Sequence, residues 1–207
     1  MKVTGTATLH APRDRVWAAL NDPAVLVRTI PGCQQLEETG PDRYRMTLMA
    51  GVASIKGVYQ GDVALTDQDH PGTFMLRASG AGAPGTVNAD VRVTLSESGD
   101  ATRLDYDADA VVGGMIGGVG QRVLTGVAKK TAGEFFAAVD DVLNGRAPVA
   151  EVSAGAAPAE PGVFRAPTPV GGAGGIGSPD FVKGAVFGAL VALLGALVGA
   201  LGARRRG

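Results

Sequence analysis

The sequence predicts an α+β domain in which a curved antiparallel sheet wraps around one long C-terminal helix. Between residues 33 and 112, segments of alternating apolar and polar residues follow one another with turn signals between them and no crossover helix. This pattern favours a meander with one apolar face. From near Met115 to Leu143 the apolar residues change to helical spacing, which predicts a helix long enough to lie across the sheet.

One strand and two short helices are predicted before the meander. Residues 2–10 alternate, with threonines on one face and smaller or apolar residues on the other, as in a half-buried strand. Residues 13–22 place Val16, Trp17 and Leu20 on one side of a short helix, and residues 24–30 form a second helix. Proline and glycine stop both helices.

The meander itself is predicted to contain six strands. Their expected bounds are 33–40, 43–51, 56–68, 72–80, 86–98 and 101–112. The glycine-laden start of the long helix, residues 113–120, loses up to about 1 kcal/mol of helix propensity at each glycine. We therefore expect that end of the helix to fray or bend.

Two appendages are predicted to follow a domain of residues 1–145. Residues 146–182 are rich in Pro, Ala and Gly and read as a flexible linker without a core. Residues 183–207 contain twenty residues without a charged or strongly polar side chain, Gly184 to Ala203, and end in three arginines. As a helix, these twenty residues would cover roughly 30 Å, the thickness of the hydrocarbon core of a bilayer. The tail therefore predicts attachment to a membrane.

The manner of attachment stays open at the level of sequence. Only nine of the twenty residues carry large apolar side chains, so the anchor is marginal. A tail that spans the membrane would carry three arginines to the far side, against the positive-inside tendency. Alternatives are a short anchor that does translocate, a shallow insertion with the arginines on anionic headgroups, or a helix buried in a soluble complex. The glycine spacing also fits close packing against a second helix.

Composition excludes several function classes. The net charge is −1 and the basic residues are scattered, so nucleic acid is not expected as a partner. The single Cys33 excludes an internal disulfide and a multi-cysteine metal site. The N-terminus lacks the apolar stretch of a secretory signal, so we expect the folded part at the cytoplasmic face of the cell membrane, anchored through its C-terminus.

Catalytic and metal sites are not expected either. His10 and His70 lie in turn-like sequence, Cys33 has no neighbouring base, and no hydrolase, zinc-protease or nucleotide-binding motif occurs. Asp105, Asp107 and Asp109 share one face of a strand, where a solvated surface is the simpler interpretation than a metal site. With the outward Arg43, Arg45, Arg77, Arg92 and Arg103, they are an alternative candidate for a protein-docking surface.

The order of elements resembles the START-like, helix-grip fold of the SRPBCC superfamily, which leaves an apolar cavity between sheet and helix. Within that group the chain resembles the G protein of the aerobic carbon monoxide dehydrogenase gene clusters. The runs Ala11 to Cys33, Ser54 to Val63 and Gly113 to Arg122 carry the resemblance, together with the linker and the apolar tail. The resemblance implies an accessory protein without enzymatic activity of its own, with carbon monoxide dehydrogenase and the cytoplasmic membrane as partners.

Fold and tail together suggest the hypothesis that the domain binds a respiratory quinone of the menaquinone type, or a similar lipid, and presents it to the dehydrogenase. No covalent cofactor is expected. The candidates to line the cavity are inward strand residues and the start of the long helix: Met46, Leu48, Tyr59, Phe74, Leu76, Val91, Tyr106, Met115, Ile116 and Val119. Ordinary core packing is the alternative role for each. The alternative functions are a START-like cyclase or hydrolase acting on a hydrophobic substrate, and a purely structural tether with a solid core.

Overall fold

A computed structural model describes residues 1–146 and 161–166. The helices are α1 (Arg13–Leu20), α2 (Pro23–Thr29) and α3 (Gln121–Leu143), and a 3₁₀ turn occupies Met115–Val119. The strands are β1 (Lys2–Leu9), β2 (Cys33–Gly40), β3 (Arg43–Val52), β4 (Ile55–Asp69), β5 (Thr73–Gly82), β6 (Gly85–Ser98), β7 (Ala101–Gly114) and β8 (Val163–Arg165). The predicted strand, two helices, six-stranded meander and long helix are all present.

The eight strands form one antiparallel sheet in the order β1-β7-β6-β5-β4-β3-β2-β8. Strands β2 to β7 are neighbours in sequence order, as expected of a meander, and β1 joins at the far edge by pairing with β7. The period-2 alternation holds along these strands. In β6, for example, Val91 and Val93 are fully buried, whereas Asp90 and Arg92 between them are exposed.

Helix α3 buries one stripe of its surface in the core. Its buried side chains include Leu124, Phe135 and Val139, which recur at helical spacing. The same core takes in Trp17 of α1 and Leu26 of α2. One continuous apolar core therefore joins the sheet to all three helices.

The start of the long helix differs from the prediction. Strand β7 continues to Gly114, the 3₁₀ turn follows, and the α-helix begins only at Gln121. Gly114 and Gly120 have φ values of 77° and 99°, a region that is open to glycine and costly for other residues. The two glycines interrupt the helical path, so the apolar spacing of residues 115–119 serves a tight turn and not an α-helix.

Part of the segment predicted as a flexible linker forms strand β8. Its residues pair with Gln35, Leu36 and Glu37 of β2, and backbone bonds flank the pairing, from Glu38 N–H to Gly162 at 2.8 Å and from Ala166 N–H to Gln34 at 3.0 Å. Val163 and Phe164 are β-prone, and Phe164 packs against the core.

The rest of the predicted linker and the whole apolar tail lie outside the described residues, so the three domain bounds stay a prediction. Among residues 1–146 and 161–166, no helix is both long enough and apolar enough to cross a bilayer.

Asp140 ties the C-terminal end of α3 to the end of β1. Its carboxylate accepts hydrogen bonds from the backbone N–H of His10 at 2.6 Å, from the His10 ring at 3.0 Å and from Arg146 at 2.9 Å. Burial by itself raises the pKa of Asp140, but the bonds from His10 and the nearby charges outweigh it and lower the pKa below the usual aspartate value. The side chain is therefore a carboxylate at neutral pH.

Candidate functional site

The residues predicted to line a cavity lie mostly inside the domain. Eight of the ten are buried: Met46, Leu48, Tyr59, Phe74, Leu76, Val91, Tyr106 and Ile116. Met115, by contrast, is 62 % exposed, and Val119 is half-buried. These two residues lie at the surface in the 3₁₀ turn and not in the interior.

Strand register brings the buried candidates together on the inner face of the sheet. Leu48 pairs with Tyr59, and Leu76 pairs with Val91. Phe74 and Tyr106 are the two partners of Val93 on either side of it. The candidates thus form one patch across five strands, and their role as cavity lining or as plain core packing stays a prediction.

A groove of about 560 Å³ runs between the edge strand β1 and helix α3. Strand β1 contributes the small residues Gly5 and Ala7, and α3 contributes Ala132, Gly133 and Ala137. Aromatic rings contribute the largest lining groups, with Tyr106 and Phe136 at 5.8 Å between ring centroids. The volume lies in the range of natural ligand sites.

Gly5 and Tyr106 shape this groove as a pair. They are directly opposed in the β1–β7 ladder, and a side chain on Gly5 would collide with the phenol of Tyr106. The absence of a side chain on Gly5 therefore lets the Tyr106 ring lie across β1 and reach the groove. Burial raises the pKa of Tyr106, so its hydroxyl stays protonated and able to donate a hydrogen bond.

Polar groups surround the apolar floor of the groove. The threonines of β1, Thr4, Thr6 and Thr8, lie along one side, and Lys129 and Asp140 of α3 lie on the other. Since Lys129 and Asp140 are eleven positions apart on the helix, they are separated by roughly 16 Å along its axis. The site is thus elongated, apolar in its centre and polar at its rim.

Of the ten predicted residues, Tyr106 is the one that lines this groove. The other lining residues were missed because the search favoured large apolar side chains. A signal existed in the sequence, since β1 carries glycine and alanine on its inward face where most strands carry larger residues. Small residues opposite a large aromatic one leave room, but the pairing of β1 with β7 is needed to see it.

The outer face of the sheet carries a second groove, of about 620 Å³, with a different chemistry. Charged side chains line much of it, and ion pairs cross between strands, from Arg45 to Asp62 at 3.3 Å and from Arg77 to Asp90 at 3.5 Å. All four side chains are more than half exposed. This surface suits a polar macromolecular partner better than a hydrophobic ligand.

The aspartates of β7 face solvent as predicted. Asp105 accepts hydrogen bonds from Arg103 at 2.9 Å and from Thr6 at 2.7 Å, and these bonds lower its pKa. In the described part of the chain, no group of three His, Cys, Asp or Glu side chains is placed to hold a metal ion.

Cys33 and the two histidines have structural surroundings. Burial raises the pKa of the Cys33 thiol to about 12, so a thiolate nucleophile is not available at neutral pH. His70 packs edge-on against Trp17, with ring centroids 5.0 Å apart, and His10 is bonded to Asp140.

Comparison with known proteins places the fold and identifies a family. The sequence profile of the carbon monoxide dehydrogenase G-protein family, CoxG, matches residues 5–144. A conserved protein from Geobacillus kaustophilus of known structure is 35 % identical, with a TM-score of 0.68, over 70 % of this chain and 96 % of its own. Among curated proteins, none matches the chain.

Two more distant structures share the fold alone. A START superfamily protein from Mycobacterium smegmatis is 15 % identical, with a TM-score of 0.55, over 70 % of this chain and 97 % of its own. The ZhuI aromatase/cyclase from Streptomyces sp. R1128 is 19 % identical, with a TM-score of 0.54, over 73 % of this chain and 98 % of its own. The predicted START-like fold is confirmed.

Proposed function

Because the chain belongs to the CoxG family of carbon monoxide dehydrogenase proteins, we propose that it carries a respiratory quinone between the cytoplasmic membrane and a carbon monoxide dehydrogenase. Family membership and the START-like fold together imply the coarser function, that of an accessory protein that binds a hydrophobic ligand. The quinone, the membrane and the delivery step are the finer parts of the proposal.

The single observation that carries the ligand part is the groove between β1 and α3. It combines an apolar floor of small residues with two aromatic rings, Tyr106 and Phe136, and a rim of hydroxyls. Ligand sites are usually concave and mostly apolar, with a few placed polar groups. The Tyr106 hydroxyl is the polar group at the aromatic centre of this groove.

A quinone of the menaquinone type fits this chemistry. Its flat ring can pack against the rings of Tyr106 and Phe136, and a quinone carbonyl can accept a hydrogen bond from the protonated Tyr106 hydroxyl. Its isoprenoid tail is costly to expose to water, at about 25 cal/mol per Å² of apolar surface. A protein groove that covers the tail lowers the free energy of moving the quinone out of the bilayer.

The apolar segment Gly184 to Ala203 supports the membrane part. With the domain held at the cytoplasmic face, loading and unloading take place close to the source of quinone. The proposal assigns this chain no chemical step of its own; oxidation of carbon monoxide stays with the dehydrogenase.

The test is a titration of the full-length protein with menaquinone, in parallel with mass spectrometry of organic extracts of the purified protein. A137F places a ring in the groove from an exposed position of α3, and A18F makes the same change at an exposed position of α1 outside the groove. We expect A137F to weaken binding at least about tenfold, which corresponds to about 1.4 kcal/mol, and A18F to leave it unchanged.

A second pair tests the hydroxyl. Y106F removes one hydrogen-bond donor and keeps the ring, so we expect binding to weaken by a few fold. Y44F removes a buried hydroxyl on β3, outside the β1–α3 groove, and serves as the matched control. If no quinone or lipid is extracted and none is taken up on titration, the carrier function is wrong and a structural tether is left.

A further inference from the structure

One end of the domain is formed by three segments, residues 49–58, 80–87 and 110–126, here called the apolar end. They contain the β3–β4 turn, the β5–β6 turn, and the 3₁₀ turn with the start of α3. Contacts join them, since the ring of Pro84 lies over Gly57 and the backbone N–H of Ile116 donates to the carbonyl of Pro84 at 3.2 Å. The three segments therefore form one continuous surface.

Every large hydrophobic side chain that is exposed in the described part of the chain lies in these segments. They are Met49, Val58, Val111, Met115 and Val123, each between 46 % and 70 % exposed. Met49 and Val58 are cross-strand partners. Single exposed hydrophobic residues are ordinary on a protein surface, but their confinement to one end marks a contact surface.

The charge of this end points to the nature of the contact. The three segments contain no Asp or Glu, and they carry the basic residues Lys56 and Arg122. The opposite end of the sheet, here called the acidic end, carries carboxylates in its turns and at the end of α3: Asp42, Asp67, Asp69, Glu97, Asp100, Asp140 and Asp141. An apolar surface with positive charge and no negative charge complements a bilayer with anionic headgroups.

Strand β8 directs the chain towards the same end. Strand β2 begins at the apolar end, because Cys33 pairs with Leu48 and the N–H of Met49 donates to the carbonyl of Gly32 at 2.8 Å. Strand β8 is antiparallel to β2, so it runs towards the start of β2. Its last bond, from Ala166 N–H to Gln34, leaves the chain pointing to the apolar end.

The length of chain beyond β8 sets how far the apolar tail can be from this exit. From 167 to 183 there are 17 residues before Gly184 (183 − 167 + 1). Counted from 147, at the end of the α3 region, the number is 37 (183 − 147 + 1). At a maximum of about 3.5 Å per residue, pairing of β8 with β2 shortens the greatest possible reach from roughly 130 Å to roughly 60 Å.

From these observations we propose that the apolar end is the surface that rests on the membrane, and that β8 holds the domain in this orientation by fixing where the chain leaves it. The inference rests on the proposed membrane function and adds which surface makes the contact. The 3₁₀ turn, with Met115 and Ile116 among the candidate ligand residues, lies at this surface. A hydrophobic ligand that enters here passes from lipid to protein without crossing water.

The experiment places an environment-sensitive fluorophore at each end of the full-length protein. V58C labels the apolar end and S98C labels the acidic end, while the buried Cys33 stays unlabelled. Vesicles of phosphatidylglycerol and phosphatidylethanolamine containing a nitroxide lipid are then added. We expect the V58C probe to shift to the blue and to lose at least about half of its emission, and the S98C probe to stay unchanged.

Charge substitutions test the same surface without a label. V58E with V123E adds two carboxylates to the apolar end, and A18E with S98E adds the same charge at exposed positions outside it. We expect the first pair to lower partition into vesicles by about tenfold, since two valines lose their contact with lipid, and the second pair to have no more than a twofold effect. Emission of Trp17, the single tryptophan, checks that each variant is folded.

F164D removes the apolar contact of β8 with the core, and R165Q changes an exposed residue of the same strand. We expect F164D to keep vesicle binding but to reduce the quenching of the V58C probe, and R165Q to keep both.

Three results would overturn the inference, and they differ in what else they remove. If the full chain fails to bind vesicles, the membrane part of the proposed function is wrong as well. If it binds and the two probes respond alike, this orientation is wrong and the proposed function stands. If F164D leaves the probe contrast unchanged, β8 does not hold the orientation.

Discussion

The two ends of this domain are built from different chemistry. At the acidic end, polar side chains are satisfied within the protein: Asp140 accepts bonds from His10 and Arg146, and Arg13 pairs with Glu97 at 3.1 Å. At the apolar end, glycines make the turns and large apolar side chains are exposed. The contrast indicates that one end secures the fold, whereas the other leaves its surface for a partner.

The largest effect on this contrast is expected from D140N. The substitution leaves His10 and Arg146 without their shared carboxylate, and we expect the free energy of unfolding to fall by about 3 kcal/mol. Urea denaturation measures the loss. D141N is the matched control, because Asp141 is half-exposed and its ion pair is with the exposed Arg146, so its loss should stay below about 1 kcal/mol.

The same carboxylate predicts a pH dependence. Because the pKa of Asp140 is lower in the folded state than the unfolded value of about 3.9, its contribution is complete above that value and is lost as the pH falls through the folded pKa. The D140N variant should lack this component of the acid transition. Equal losses for D140N and D141N would contradict the role of the acidic end.

A smaller effect is expected at the apolar end from G114A. Gly114 has φ 77° and ψ −158°, a conformation that only glycine adopts readily, and an added methyl would meet the backbone of Gly85. We expect a loss of about 2 kcal/mol in the free energy of unfolding. G118A is the control, because nothing lies within 4 Å of the added atom, and it should change stability by no more than about 0.5 kcal/mol.

If G114A costs no more than G118A, the 3₁₀ turn is not held by its glycines and the apolar end has no defined shape.

The smallest signal is the reactivity of Cys33, which begins β2 at the apolar end. With its pKa raised to about 12, the thiolate fraction at pH 8 is about one in ten thousand. Alkylation of the native protein by iodoacetamide should therefore be very slow, and fast in about 6 M guanidinium, where the protein is unfolded. Rapid alkylation without denaturant would show that the apolar end opens readily, which would weaken the contrast between the ends.

Local patterns predicted most elements because each depends on neighbours in the sequence. The alternation in β6 and β7 predicted both strands and the face that each residue occupies, and the turn at His70-Pro71-Gly72 was placed correctly. The start of α3 was wrong because apolar residues of a 3₁₀ turn can share the spacing of an α-helix. Backbone angles at Gly114 and Gly120 decided between them, and these depend on the turn packing beneath Pro84.

The candidate site was only partly predictable. Burial of Met46, Tyr59 and Leu76 followed from alternation, but whether a buried residue lines a cavity or fills the core depends on what faces it. The groove emerged only where β1 pairs with β7 and Tyr106 lies across Gly5. These residues are about one hundred positions apart, so no local pattern records their contact.

By itself, the sequence determined the order of strands and helices, the inner and outer face of each strand, and the likeness to the CoxG family. The tertiary structure decided which strands became edges, where β8 paired, and that the exposed hydrophobic residues gathered at one end. The reason is physical. Periodicity reports which side of a segment prefers to leave water, whereas grooves, edges and surfaces arise from segments that the chain brings together over long distances.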